Sequence, residues 1–137
     1  MPPVAERERT GDDAPCPCGG RRYGDCCGPV HRGTPAATAE ALMRARYSAF
    51  ALGDEAFLHA SWHPSTRPAR IELDPRVRWL GLRIRDRAAG GPDDSMGTVE
   101  FVARWRLDGR GHRQHELSEF VRENGHWLYL RSLSGTD

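Results

Sequence analysis

All four cysteines of this 137-residue chain lie between Cys16 and Cys27. They form two close pairs, Cys16-Pro-Cys18 and Cys26-Cys27, and seven residues separate the pairs. Two close pairs joined by a short polar loop can bring four sulfur atoms around one tetrahedral ion. Zinc suits such a set, because Zn²⁺ prefers thiolates and imposes no geometry through its d electrons. The spacing therefore predicts a structural zinc site, since protein ligands fill all four positions and leave none for catalysis.

The residues around the cysteines suit this site but leave its fourth ligand open. Glycines in the loop allow tight turns, and four thiolates on one Zn²⁺ leave a net negative charge. Arg21, Arg22 and Arg32 are placed to offset that charge. His31 is an alternative to Cys27 as the fourth ligand, because sites with three cysteines and one histidine are common. The alternative to a metal site is a set of free thiols or a disulfide such as Cys16–Cys27.

Composition and charge limit the protein's partners and location. The net charge is only +1, which gives no overall attraction to nucleic acid or membranes. Every basic residue is an arginine, however, so local anion sites stay open. No apolar run approaches the roughly 20 residues of a membrane helix, and residues 1–14 lack the apolar core of a signal peptide. We predict a disordered tail over 1–14 and a cytoplasmic protein with reduced thiols.

Residues 34–64 show helical periodicity. Thr34-Pro35 predicts the cap and first position of a helix. The apolar stripe of that helix recurs at steps of three and four residues: Ala39, Leu42, Met43, Arg46, Tyr47 and Phe50. Gly53 is predicted to end the helix, and Asp54 to cap a second, shorter one that runs through Trp62 and ends at Pro64.

After Pro75 the period of the apolar residues changes from 3.6 to two, as is typical of strands. The first strand, VRWLGLRIRD, should place Leu80, Leu82 and Ile84 on one face. Three more strands follow, MGTVEFVARWRL, HRQHELSEFVRE and HWLYLRSL, and Asn124-Gly125 predicts a tight hairpin turn before the last. The order predicts an α+β fold: a zinc knuckle over 15–33, then helices covering a curved antiparallel sheet of about four strands over 34–137.

The turns imply a register that places a carboxylate on an apolar face. The Asn124-Gly125 turn pairs Phe120 with Tyr129. A preceding turn at Gly109-Arg110 would pair Ala103 with Glu116. A carboxylate among apolar residues costs several kcal/mol unless it is paired or protonated.

Glu116 therefore has two interpretations. In the first it forms a structural ion pair, with Arg46 as the leading partner and Arg44 or His63 next. In the second it is the floor of a ligand pocket, and its pKa is raised by burial. The candidate pocket residues are Arg46, Tyr47, Trp62, His63, Phe101, Glu116, Ser118 and Tyr129.

The stretch CPCGGRRYGDCCG resembles the SEC-C motif, the zinc knuckle at the C-terminus of the SecA translocation ATPase. The match departs from the motif in two ways, since Gly20 replaces a serine and the loop is one residue shorter. The resemblance favours Cys27 over His31 as the fourth ligand. By analogy with SecA it also implies a protein or ribosome-associated partner. The matching positions are Cys16, Pro17, Cys18, Gly19, Cys26, Cys27 and Gly28.

The domain after the knuckle is similar to the nuclear transport factor 2 and ketosteroid isomerase superfamily. That superfamily has a cone-shaped fold with an interior pocket, and its members commonly form homodimers. The chain as a whole resembles the uncharacterised bacterial YchJ-like family over residues 16–133. The resemblance rests on the knuckle and the segments that follow it, LMRARYSAF, SWHPST, GTVEFVARW and HELSEFVRENGHWLYL.

Two hypotheses about function follow. The first is an adaptor, in which the knuckle contacts a macromolecular partner through Arg21, Arg22 and Arg32 and the cone is a scaffold or homodimerisation module. The second is a small-molecule-binding protein or enzyme that uses the cone interior around Glu116. The sequence offers no nucleophile set and no phosphate-binding glycine loop, so we assign no catalytic residue. The near-neutral charge makes nucleic acid unexpected as the main partner.

Overall fold

A computed structural model describes residues 11–133 of the chain. A 3-10 turn at Tyr23–Asp25 and three helices precede a single antiparallel sheet with strand order β1-β2-β3-β4. The predicted α+β fold is confirmed. The helices are α1 (Cys27–His31), α2 (Ala39–Leu52) and α3 (Glu55–Ala60), and the strands are β1 (Arg78–Ala89), β2 (Met96–Leu107), β3 (Arg110–Glu123) and β4 (His126–Ser132).

The predicted tail over 1–14 is described only in part. Residues 1–10 lie outside the described residues, whereas residues 11–14 form turns against the knuckle. The backbone N–H of Tyr23 donates to the carbonyl of Ala14 at 2.8 Å, and that of Gly24 donates to Asp12 at 2.9 Å. None of the helices in the described part of the chain is long and apolar enough to cross a membrane.

The helix ends follow the predicted chemistry with two corrections. The cap of α2 is Thr38, whose hydroxyl accepts the N–H of Ala41 at 3.0 Å. Thr34 lies in the preceding linker instead, where its own N–H donates to Pro29. Gly53 ends α2 in the left-handed conformation, with φ of 77°, as predicted.

Helix α3 is shorter than predicted. Asp54 caps it by accepting the N–H of Phe57, but the helix ends at Ala60 rather than running through Trp62. The chain leaves the helix because it pairs with the edge of β4. The N–H of Tyr129 donates to the carbonyl of Ser61, and that of His63 donates to Tyr129, both at 2.8 Å.

The strand register is confirmed at one hairpin and wrong at the other. Phe120 pairs with Tyr129 as predicted. The turn between β2 and β3 centres on Asp108-Gly109, however, so Phe101 faces Glu116 and Ala103 faces Gln114. Asp108 and Gly109 adopt φ of 53° and 81°, the conformation that such a turn requires. The error is two residues along the strand, so every side chain keeps its predicted face.

Strand β1 contains a bulge that the alternation could not reveal. Its pairing with β2 shifts between Trp79 and Gly81, and Leu80 is left 54% exposed. The expectation that Leu80 shares a face with Leu82 and Ile84 is therefore wrong. Trp79 takes the inner position instead and makes an edge contact with Tyr47 of α2, with ring centroids 5.5 Å apart.

Helix α2 lies over the inner face of the sheet, and the knuckle joins the same core. Buried residues of α2, including Leu42 and Met43, share one apolar cluster with Val99 and Phe120 of the sheet. The cysteines Cys16, Cys18 and Cys27 belong to that cluster too, as does Tyr23. The cysteine cluster is thus held against the central helix of the fold.

Candidate metal centre

The four cysteine sulfurs converge on one point. All four Sγ atoms lie within 4.8 Å of one another, with 3.5 Å between Cys18 and Cys26 and 4.0 Å between Cys26 and Cys27. Zinc–sulfur bonds of about 2.3 Å in a tetrahedron place the sulfurs roughly 3.8 Å apart. The arrangement could therefore hold one metal ion at the centre of the cluster.

Short local structures bring the two pairs together. The N–H of Gly19 donates to the carbonyl of Cys16 at 3.0 Å and closes a tight turn around the first pair. The N–H of Cys26 donates to Tyr23 at 3.1 Å, and α1 begins at Cys27. A Cβ at Gly20 would lie 2.9 Å from the sulfur of Cys26, so the position has no room for a side chain once that sulfur is fixed.

The environment of the thiols favours a cation at their centre. Cys16, Cys18 and Cys27 are at most 4% exposed, and only Cys26 is half-buried. Burial raises the pKa of Cys26 to about 11, and the hydrogen bond with Cys16 raises the pKa of Cys27. The hydrogen bond with Cys18 lowers the pKa of Cys16. Each thiolate thus raises or lowers the pKa of its neighbours, and a dication at the centre would stabilise four thiolates together.

Two residues of α2 contact the sulfurs directly. The fully buried Ser48 donates its hydroxyl to Cys27 Sγ at 3.3 Å and lies 3.5 Å from Cys16 Sγ. Arg44, one turn earlier, donates to the carbonyl of Cys18 at 3.2 Å and approaches its sulfur at 3.8 Å. Sequence reasoning missed Ser48. The available signal was a serine four residues after Arg44, a spacing that places both on one face of the helix.

The three arginines expected to offset the thiolate charge lie further out. Arg22 pairs with Asp13 at 2.9 Å and Asp25 at 2.8 Å, while Arg32 pairs with Asp12 at 3.4 Å. Arg21 is exposed and makes no ion pair with any residue between 11 and 133. The guanidinium nearest the sulfurs is that of Arg44.

His31 is held away from the sulfurs by two hydrogen bonds. Its Nε2 lies 2.8 Å from the carbonyl of Ala45, so Nε2 carries the proton that it donates. Its Nδ1 then accepts from the hydroxyl of Tyr23 at 2.6 Å. Burial lowers the pKa of His31, which keeps the ring neutral. Both nitrogens are thus engaged, and the structure does not bring His31 into the cluster.

Glu116 and Arg46 lie near each other without making a direct ion pair. Glu116 is half-buried and accepts from Ser118 at 2.6 Å, from Gln114 at 2.8 Å and, more weakly, from the hydroxyl of Tyr129 at 3.4 Å. Arg46 donates to the carbonyl of Leu58 at 2.9 Å. The attraction between Arg46 and Glu116 acts over a longer range than a hydrogen bond.

Arg46 is a buried cation that completes the end of α3. It is 4% exposed, donates to Ser61 Oγ at 2.6 Å, and has its guanidinium carbon 4.7 Å from the ring centre of Tyr129 and 5.3 Å from that of Trp62. Desolvation lowers its pKa to about 10, so Arg46 stays charged at neutral pH. Helix ends leave carbonyls without partners, and Arg46 satisfies that of Leu58.

The other candidate pocket residues have structural partners. His63 bonds Ser65 through Nδ1 at 2.8 Å and Glu123 through Nε2 at 2.9 Å, near the surface. Tyr47 and Phe101 lie in the core, and burial raises the pKa of Tyr47 to about 12. Trp62 makes an edge contact with Tyr129.

Two cavities lie elsewhere. One of about 490 Å³ lies between the end of α1, α3 and the start of β4, and one of about 260 Å³ lies beside the start of α2. None of the eight predicted pocket residues lines either cavity. The geometry around Glu116 therefore does not favour the ligand-pocket interpretation.

Residues 38–132 match the family described as "YchJ, middle NTF2-like domain". The chain belongs to the YchJ-like family. A UPF0225 protein from Chromobacterium violaceum is 50% identical over 125 residues, which cover 88% of this chain and 93% of that protein. A UPF0225 protein from Streptomyces coelicolor is 53% identical over 117 residues, which cover 84% of this chain and 91% of that protein. The predicted family membership is confirmed.

Solved structures extend the YchJ-like match to the cysteine region. The solution structure of a SEC-C motif containing protein from Rhodopseudomonas palustris superposes with a TM-score of 0.75 at 35% identity, covering 89% of this chain and 98% of that one. The crystal structure of a SEC-C motif containing protein from Psychrobacter arcticus gives 0.68 at 29% identity, covering 88% and 84%. The chain thus resembles SEC-C proteins over most of its length, and its cysteines cluster despite the shortened loop.

Proposed function

We propose that this YchJ-like protein is a zinc-binding adaptor. In this proposal a structural Zn²⁺ holds the knuckle on α2, and the outer surface of the knuckle contacts a macromolecular partner. The NTF2-like domain acts as scaffold or homodimerisation module. The observation that carries the proposal is the closed set of four cysteine sulfurs, supported by Ser48 and Arg44 from the helix.

The chemistry of the ligand set supports zinc and a structural role. Soft thiolates select zinc or iron–sulfur clusters, and a single tetrahedral site of four cysteines is typical of structural zinc. Bound there, zinc would supply folding energy rather than activate a substrate. A substrate would have to displace a cysteine, and three of the four cysteines are buried.

The exposed arginines of the knuckle are the proposed contact residues. Arg21 leads this set, because Arg22 and Arg32 already pair with aspartates whereas Arg21 pairs with no acid among residues 11–133. The partner that we propose, by analogy with the SEC-C knuckle of SecA, is a protein or a ribosome-associated complex.

Elemental mass spectrometry of the purified full chain tests the metal. We expect one zinc per chain in the wild type and none in Cys26→Ser, because three thiolates and a hydroxyl bind zinc far more weakly than four thiolates. Ser65→Ala, an exposed position outside the cluster, should keep the metal. Stoichiometric iron would contradict zinc, and a wild type without metal would contradict the whole proposal.

Co-sedimentation with purified ribosomes, followed by affinity capture from the native lysate, tests the contact. Arg21→Gln should weaken the recovery of a specific partner while metal content and melting temperature stay unchanged. Arg70→Gln is the control, since Arg70 is also an exposed arginine, pairs only with the neighbouring Glu72 among residues 11–133 and lies outside the knuckle. Equal recovery with both variants would show that the tip of the knuckle is not the contact surface.

A further inference from the structure

One end of the outer sheet face carries a group of arginines. The outer face is the one opposite α2, since Phe101 and Ala103 of β2 point into the core. Side chains that are direct cross-strand partners share a face, which places five exposed arginines together. We call them the arginine face: Arg78, Arg83, Arg104, Arg106 and Arg113.

Acidic side chains in the described part of the chain do not neutralise the arginine face. Across residues 11–133, none of its five guanidinium groups makes an ion pair within 4.0 Å. The other end of the same outer face is neutralised internally. There His115 bonds Glu100 at 2.5 Å, and Arg131 bonds Glu119 at 2.8 Å. The unbalanced charge is therefore local to one end of the sheet.

The register places like charges directly opposite each other. Arg78 pairs with Arg106 on the neighbouring strand, and Arg104 pairs with Arg113. Like charges at such positions destabilise a sheet, whereas opposite charges stabilise it. The fold thus carries a repulsion at this end that a bound anion would relieve.

We propose that the arginine face binds the phosphate backbone of a single-stranded nucleic acid. It covers about 10 Å across three strands and about 14 Å along β2, which is enough for several phosphates of one strand. Arginine forks pair with phosphate oxygens in a bidentate manner. The contacts involve the backbone, so the binding is insensitive to base sequence.

The composition of the surface favours nucleic acid over an acidic protein. The centre of a protein interface is typically apolar, with aromatic anchors, whereas the exposed large apolar side chain beside the arginine face is Leu80 alone among residues 11–133, at 54% exposure. A second copy of the chain fits less well, because the glutamates on the opposite end of the face are already paired and Glu119 is only 9% exposed.

The small net charge of the chain does not oppose this binding. The charge of +1 averages over the whole molecule, whereas electrostatic interactions at physiological salt extend only about 8 Å. A phosphate at the arginine face therefore experiences the local arginines far more strongly than the distant acids.

Fluorescence anisotropy with a labelled 20-nucleotide oligouridylate tests the proposal on the metal-loaded full chain. About five phosphate contacts predict a salt slope near −3.5, so binding should weaken by about 100-fold between 50 and 200 mM salt. The double variant Arg104→Gln and Arg113→Gln should bind more than tenfold more weakly at 50 mM salt, with a slope near −2. Its melting temperature should not fall, since the change removes a repulsion.

A control separates the arginine face from charge in general. The variant Arg70→Gln with Arg87→Gln removes the same charge from exposed positions outside the arginine face and the knuckle, and should keep wild-type affinity. Equal losses in both double variants would overturn the proposal, as would no saturable binding by the wild type. Equal binding of a duplex or of poly-glutamate would overturn the single-stranded nucleic acid as ligand. Sedimentation tests a contact between copies of the chain. A dimeric wild type that becomes monomeric in the double variant Arg104→Gln and Arg113→Gln would show that the arginine face is such a contact instead.

This proposal is independent of the zinc adaptor. The arginine face contains no knuckle residue, and metal content does not enter its readout. A chain that binds oligouridylate normally but carries no zinc would contradict only the proposed function. A zinc-loaded chain that ignores oligouridylate would contradict only this inference.

Discussion

The sequence predicts two candidate sites, the cysteine cluster and the region around Glu116. They differ in whether the fold brings the predicted residues into contact with one another. The four cysteines span twelve positions of the chain and meet within 4.8 Å. Arg46 and Glu116 come from distant segments and make their hydrogen bonds to other groups. The first region brings four thiols around one point that could hold a cation. In the second, Arg46 and Glu116 already have hydrogen-bond partners.

The contrast shows that a buried polar residue is evidence of a site only when its hydrogen-bonding capacity is unmet. Arg46 is nearly fully buried, yet a carbonyl, a hydroxyl and two aromatic rings satisfy it. Three of the four cysteine thiols are just as buried, but the thiols contact mainly one another and Ser48. Of the two, only the cysteine cluster gains from an added dication.

Metal removal should produce the largest effect. Cys18→Ser should lose the metal and lower the melting temperature by more than about 10 °C, because the knuckle shares the core of the domain. Elemental analysis measures the metal content, and a thermal melt measures the melting temperature. If the variant does not fold, a strong chelator added to the wild type serves instead, and it should lower the melting temperature by the same amount. Metal loss with an unchanged melting temperature would show that the knuckle and domain are energetically separate.

Arg46 and Glu116 should differ in their effects on stability. Arg46→Met keeps volume but leaves the carbonyl of Leu58 with only the long 3.4 Å bond from Ser61, which should cost about 1–3 kcal/mol of unfolding free energy. Glu116→Gln keeps an acceptor for Ser118 and should cost less than about 1 kcal/mol. Urea unfolding compares them, with metal content unchanged in both. Equal costs would indicate that the two residues act as one ion pair.

A single hydroxyl should affect metal affinity and leave the fold unchanged. Ser48→Ala should keep one metal per chain but lower metal affinity by about tenfold, because ligand-orienting hydrogen bonds are worth about that much. Competition with a chromogenic chelator measures the affinity. Ser118→Ala is a matched control, since Ser118 is equally buried but bonds Glu116. If both variants bind metal like the wild type, the hydroxyl of Ser48 has no role in the cluster.

The sequence alone was sufficient wherever the controlling interactions are local. The α+β order, the glycine end of α2, the Asn124-Gly125 register and the four converging cysteines depend on contacts between residues close in the chain. Turn chemistry and ligand spacing operate at that range. The family resemblance added the fold of the whole domain, which the match over residues 38–132 confirms.

Only the tertiary structure decided what depends on distant segments. The bulge at Leu80 arises from pairing between β1 and β2, and the early end of α3 arises from pairing with β4. Ser48 becomes a partner of the cysteines because α2 packs on the knuckle, a contact across 21 residues. The arginine face exists because three strands align at one register, although the net charge of the chain is only +1. Composition sums charges and periodicity assigns faces, but only strand pairing and helix packing determine which side chains become neighbours.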